Sequence, residues 1–135
     1  TEIYTLSLHD ALPIFLSLVD WWKVPSDLYP QILDYPGGDH AEEMETSLAL
    51  YLYPEFVEMA VADEGNVKKS KLEAINRGWV QITRPWHIVT TNSGVGNPLK
   101  ATAEKGKVIL DTVIERIGTY LKELSDAKIG YEFPY

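Results

Sequence analysis

Apolar and polar positions along the chain divide it into alternating strand-like and helix-like segments. FLSLVDWW (15–22) is an apolar run without alternation, the pattern of a buried parallel strand. KVPSDLYPQILDYPGG (23–38) contains three prolines and two glycines and is expected to be mostly loop. A helix is predicted from near Asp39, because Ala41, Met44, Leu48, Tyr51 and Leu52 recur at helical spacing and Pro54 limits it. EFVEMAVAD (55–63) continues as a second short helix, and GNVKKSKLEAINRG (65–78) reads as polar surface. WVQI (79–82) and WHIVTT (86–91) are predicted strands around Arg84-Pro85, followed by a loop with Gly94 and Gly96. Asn97-Pro98 has the form of an N-cap followed by proline at the first helical position. Beyond it, Val108, Ile109, Val113, Ile114, Ile117, Leu121 and Leu124 define one broad core-facing stripe, despite a cost of about 1 kcal/mol for Gly106. The tail GYEFPY (130–135) is predicted irregular. Strand, helix, strand, helix in order predicts an α/β layered domain.

Composition narrows the function classes. A chain of 135 residues with 45% hydrophobic and 24% charged positions is a globular chain of at most one ordinary domain. No apolar run approaches the roughly 20 residues of a membrane span. The absence of cysteine excludes a disulfide framework and a thiolate metal site, with a cytoplasmic location as the default expectation. A formal charge of −8 speaks against nucleic acid or an anionic membrane as partner.

The segment TEIYTLSLHDALPI (1–14) resembles the translation of a common sequencing adapter, codon for codon. Thr1–Ile14 is therefore set apart as an artefact, which removes His9 and Asp10 from the candidates. Its exclusion removes two carboxylates and no basic residue, leaving a charge of −6. An in-frame adapter further implies that Phe15 or Leu16 was an interior residue of something longer.

The densest candidate chemistry is GGDHAEEMETS (37–47), a histidine among four carboxylates at a helix start. Asp39 as N-cap with Glu42 three residues on would form a capping-box-like pair, and Glu43 could lie in solvent. His40 is harder to place as capping alone. The helix dipole disfavours its cation while nearby carboxylates favour it, opposing influences on a residue type suited to proton transfer. Glu45 follows five residues later, roughly 140° around an ideal helix, so it is not expected directly beside His40. On residue chemistry alone, a surface histidine in a capped helix is the stronger reading.

DHAEEMETSLALYLYPEFV (39–57) resembles the creatininase (creatinine amidohydrolase) family segment H-A-G-x-x-E-T-S, through His40, Ala41, Glu45, Thr46 and Ser47. Glu42 stands where that pattern has glycine. TTNSGVGNPLKATAEKG (90–106) is similar to the family's G-D-P-R-x-A-T-A-E-K-G helix entry, through Gly96, Pro98, Ala101, Thr102, Ala103, Glu104, Lys105 and Gly106, with Asn97 where Asp is common. The resemblance spans essentially all of 15–124. It implies a three-layer creatininase-like α/β domain with a mostly parallel sheet, and hydrolysis of C–N bonds in small cyclic amides by metal-bound hydroxide. Some relatives act on other rings, including inosose-type cyclic ketones. His40 would be the acid/base and Glu45 would order the site. Gly37, Asp39, Gly96 and Asn97 are expected in pocket walls, with Trp21, Trp22 and Trp86 as candidate substrate-facing aromatics for which core packing is an equal expectation. His87 is expected to be a core histidine.

The family's metal-binding patterns, Glu-x-His-Gly-Pro-His with a following Asp and a later Asn-Gly-His-Gly-Gly-Asn-like run, do not occur. No metal ligand is therefore assigned. The resemblance implies a divalent metal (zinc or manganese) held mostly by a missing N-terminal half, so residues 15–135 read as the C-terminal part of a hydrolase. Such a part is expected to be inactive alone and to leave an unpaired sheet edge. The full-length protein would act on a small molecule as a homo-oligomer, a hexamer in many relatives. The alternative reading is an acidic α/β module that binds a small ligand without chemistry.

Overall fold

The computed structural model describes residues 15–128, Gly130 and 132–135; the adapter-like segment 1–14 and tail residues Ile129 and Tyr131 lie outside the described residues. The helices are α1 (Tyr29–Ile32), α2 (Glu43–Leu52), α3 (Glu73–Asn76), α4 (Trp86–Val89) and α5 (Ala103–Asp126). Among the described residues, three 3-10 turns, Trp21–Lys23, Pro54–Phe56 and Met59–Val61, complete the helical structure, and the last two stand where one short helix was expected. Among the described residues, no helix is long and apolar enough to cross a membrane.

Packing centres on α2 against α5. Leu33, Met44 and Ile109 form the buried cluster, with Trp21, Tyr29, Ile32 and Leu48 packed around it. Ile109 is fully buried, and an isoleucine so placed contributes roughly 1.5–3 kcal/mol. Gly106 sets how closely the helices approach, because a Cβ there would stand 2.0 Å from the Ser47 carbonyl oxygen. At the same crossing the Ser47 hydroxyl donates to the Glu43 carbonyl (2.6 Å) and accepts from the Thr102 N–H (3.2 Å). Arg116 ties the middle of α5 to the 24–28 turn, donating to the Val24 carbonyl (2.7 Å) and to both Asp27 carboxylate oxygens.

The helix boundaries differ from those the sequence suggests. α2 starts at Glu43 because Glu42, not Asp39, is the cap: its carboxylate accepts the Met44 (2.6 Å) and Glu45 (3.0 Å) N–H groups. α5 starts at Ala103, capped by the Thr102 hydroxyl, while Asn97 accepts from Leu99 N–H in a separate turn. The apolar stripe of α5 is only partly covered. Ile109 and Val113 are buried, but Val108, Ile114 and Leu121 are exposed.

The expected sheet is not formed among the described residues, where β-structure is limited to one isolated antiparallel bridge between His40 and Val95. The run 15–20 has no regular structure, and Leu16 and Leu18 are about nine-tenths exposed. Residues 79–82 are likewise irregular. The predicted strand at 86–91 is instead the helical turn α4, where Ile88 and Val89 N–H groups donate back to the Pro85 carbonyl. A strand satisfies its backbone only through a neighbour, whereas a turn does so locally. His87 consequently lies exposed on α4 and is not a core residue.

Candidate active site

Two loops meet where the two sequence motifs begin. Asp39 N–H (2.9 Å) and His40 N–H (3.3 Å) donate to the Val95 carbonyl, and Val95 N–H returns a bond to the His40 carbonyl (2.8 Å). The crossing is close enough to require glycine at Gly96, which has φ 116° and whose added Cβ would lie 2.6 Å from the Glu42 Cβ. Gly37 and Asp39 on one loop and Gly96 on the other are thereby brought to one place.

His40 precedes the helix by three residues, so the ideal-helix argument separating it from Glu45 does not apply. Ala41 takes the left-handed conformation (φ 51°), which turns the chain sharply before the cap. Glu45 folds back along this turn and its Oε2 accepts the Ala41 N–H (2.7 Å). The same oxygen lies 3.7 Å from His40 Nδ1. The Thr46 hydroxyl adds a bond to the Ala41 carbonyl (3.2 Å). A left-handed alanine is costly, about 1–2 kcal/mol, and here three polar contacts on and around it hold it in place.

Trp86 also meets the imidazole, ring centroids 5.4 Å apart in an edge-to-face arrangement at 66°. Arg84 lies over the Trp86 ring (4.3 Å) and its Nη1 donates to Asp39 Oδ2 (2.6 Å). Arg84 was not among the sequence candidates. Its signal was a cation two residues before a candidate aromatic, with no spacing rule to connect it to Asp39 forty-five residues earlier.

Trp22, Gly37, Asp39, Glu42, Glu45 and Arg84 line an open cavity of about 500 Å³. A larger groove of about 650 Å³ on the other side of Glu45 is walled by Gly94, Gly96 and an apolar set from Phe56 to Ala62. Trp21 faces the core and meets Trp22 edge-on (6.1 Å). Asn97, Trp86 and His40 line neither cavity.

Burial pushes the Glu42 carboxyl above its usual range, with the Glu45 and Glu43 charges adding to it and the two capping hydrogen bonds opposing. Burial also raises the Tyr29 phenol, to about 12, aided by the Glu42 charge. Glu43 does not lie in solvent: it is fully buried, accepts the Asp34 (3.2 Å) and Tyr35 (2.6 Å) N–H groups, and pairs with Lys105. Lys105 also reaches Asp34 (2.6 Å). Burial works against its ammonium, but the hydrogen bonds to Asp34 and Glu43 prevail and hold its pKa above the usual lysine value. Much of the shared motif is thus a joint: Glu43, Ser47, Thr102, Lys105 and Gly106 lock α2 to α5, while His40 and Glu45 face outward.

Among the described residues, no three His, Cys, Asp or Glu side chains converge in a group able to hold a metal ion. The described residues therefore do not by themselves make up a complete metal centre.

Comparison with known proteins places these features. Among curated proteins none matches the chain. A crystal structure from Bacteroides fragilis, a protein with a provisional creatinine amidohydrolase assignment, superposes with a TM-score of 0.74 at 32% identity. The match covers 83% of this chain and 44% of that one, so the chain spans less than half the length of this relative. The family profile described as creatininase, creatinine amidohydrolase, matches residues 5–121. With both motifs joined in one site and most of its length matched, this chain belongs to the creatininase family.

Proposed function

We propose that this chain carries the proton-handling face of a metal-dependent creatininase-family hydrolase, with His40 as acid/base and Glu45 as its ordering carboxylate. The observation that carries this reading is the fold-back at Ala41, a left-handed alanine held so that a carboxylate faces the imidazole. Non-glycine residues kept in such conformations cluster at working sites.

Family membership supports hydrolysis of an amide-type C–N bond, and the assignment of the Bacteroides relative supports a small cyclic amide or related ring as substrate. In that reaction water oxygen adds to the carbonyl carbon, the C–N bond breaks, and the leaving nitrogen takes a proton. Glu45 faces Nδ1. His40 therefore presents Nε2 to the substrate, and the carboxylate stabilises the imidazolium that forms. Trp22, Trp86, Gly37, Asp39 and Gly96 would flank the ring. A divalent metal, zinc or manganese, belongs to the same reading, held by residues of a longer protein of which 15–135 is the C-terminal part. Strands of that longer protein would pair with 15–22 in a mostly parallel sheet, and the whole would act as a cytoplasmic homo-oligomer, a hexamer by the family pattern. By itself the chain would be inactive.

The test is to extend the gene upstream of Phe15 and assay ring opening of small cyclic amides with zinc and with manganese. His40→Ala is expected to lower kcat by about 10²–10⁴-fold, the usual span for a positioned acid/base. Unchanged turnover in His40→Ala, or upstream DNA that encodes no cluster of His, Asp and Glu, contradicts the reading. Metal-independent ligand binding without turnover would favour the acidic binding module instead.

A further inference from the structure

We propose that Arg84 is a positioning residue for His40, acting through the indole of Trp86 and the carboxylate of Asp39. This rests on the reading of His40 as the proton-handling group and names what holds its ring. The imidazole is about half exposed, so the protein interior does not fix its rotamer. Glu45 faces one ring nitrogen at 3.7 Å, and the indole of Trp86 stands edge-to-face at 5.4 Å.

Trp86 itself comes from the four-residue turn α4, too short to be rigid alone. Arg84 supplies the missing support. Its guanidinium lies 4.3 Å over the indole, and its Nη1 donates to the carboxylate of Asp39 at 2.6 Å. Asp39 adjoins His40 in sequence, and both are bonded through their backbones to Val95. Asp39, Arg84, Trp86 and His40 therefore close a ring of contacts joining the 37–40 loop to α4. A planar cation can stack its face on the indole while an N–H at its edge donates to the carboxylate, as Arg84 does through Nη1, so lysine is a partial substitute.

The experiment follows the His40 ring protons by NMR in the 135-residue chain. A neighbouring indole displaces such resonances, and Trp86→Leu defines that displacement. Arg84→Gln is expected to reproduce most of the Trp86→Leu change, and Arg84→Lys to recover part of the wild-type position. The buried methyls of Ile109 and Val113 report whether the fold is intact, and they are expected to stay in place. Should Arg84→Gln disturb those methyls, Asp39→Asn cuts the same link with less change of shape and must displace the His40 ring signals in the same direction. His40 ring signals that stay at their wild-type positions in Arg84→Gln, or that do not respond to Trp86→Leu, overturn the proposal. Because ring position is read without turnover, its failure is separable from failure of the hydrolase reading.

Discussion

The contact between α2 and α5 and the stretch 79–92 are both rich in apolar residues, yet the first is a closed joint and the second is open. At the joint, Gly106 lets backbone meet backbone, Ser47 bridges the helices, and a buried carboxylate, Glu43, is answered by Lys105 and two N–H groups. Along 79–92, Trp79, Ile82 and Ile88 are more than half exposed, and no strand forms. The run 15–20 behaves in the same way. What separates these regions is whether the described residues supply the partner. A helix pair encoded in one chain completes itself, while a strand is completed only by another strand.

The largest effect that should break this contrast is at the buried pair. Lys105→Met leaves Glu43 without its cation, and loss of about 3 kcal/mol is expected, the low end for a broken buried pair because Lys105 reaches solvent. The midpoint of urea unfolding measures it. Gly106→Ala should follow at about 2 kcal/mol, since its Cβ meets a backbone oxygen that cannot move aside without parting the helices. Gly118→Ala sharpens the comparison on the same helix: nothing lies within 4 Å of its Cβ position, so a gain of about 0.5–1 kcal/mol is expected. Leu18→Ser in the open run should stay within about 0.5 kcal/mol of the parent by the same measurement.

Alkaline pH should act on the joint as well. The folded-state pKa of Lys105 is raised above 10.5, so its contribution is complete below that value and is lost as pH rises through the raised one. Tyr29, raised from 10.0 to about 12, works in the same direction because the folded state resists its ionisation. Stability should therefore fall between pH 10 and about 12, and Tyr29→Phe should flatten part of that fall in chemical denaturation.

Both long helices and the Pro54 stop were legible in the sequence, because apolar periodicity and proline are local signals. The cap was not: in D-H-A-E-E-M-E every carboxylate suits a helix start, and the choice of Glu42 depends on the left-handed turn at Ala41, which alanine does not announce. That same turn brought Glu45 beside His40, against the ideal-helix angle. Glu43 was read as solvent-facing because its partner, Lys105, lies 62 residues away. The strands failed for a different reason, since an apolar run states a need for burial without naming what buries it.

Hydrogen exchange across the native chain tests most directly the claim that this protein divides into a self-sufficient joint and an open remainder. The slowest amides should lie in Thr46–Leu48 and Gly106–Val113, with rapid exchange throughout 15–20 and 81–84. Uniform protection along the chain, or protection of 15–20 equal to that of Gly106–Val113, would contradict it.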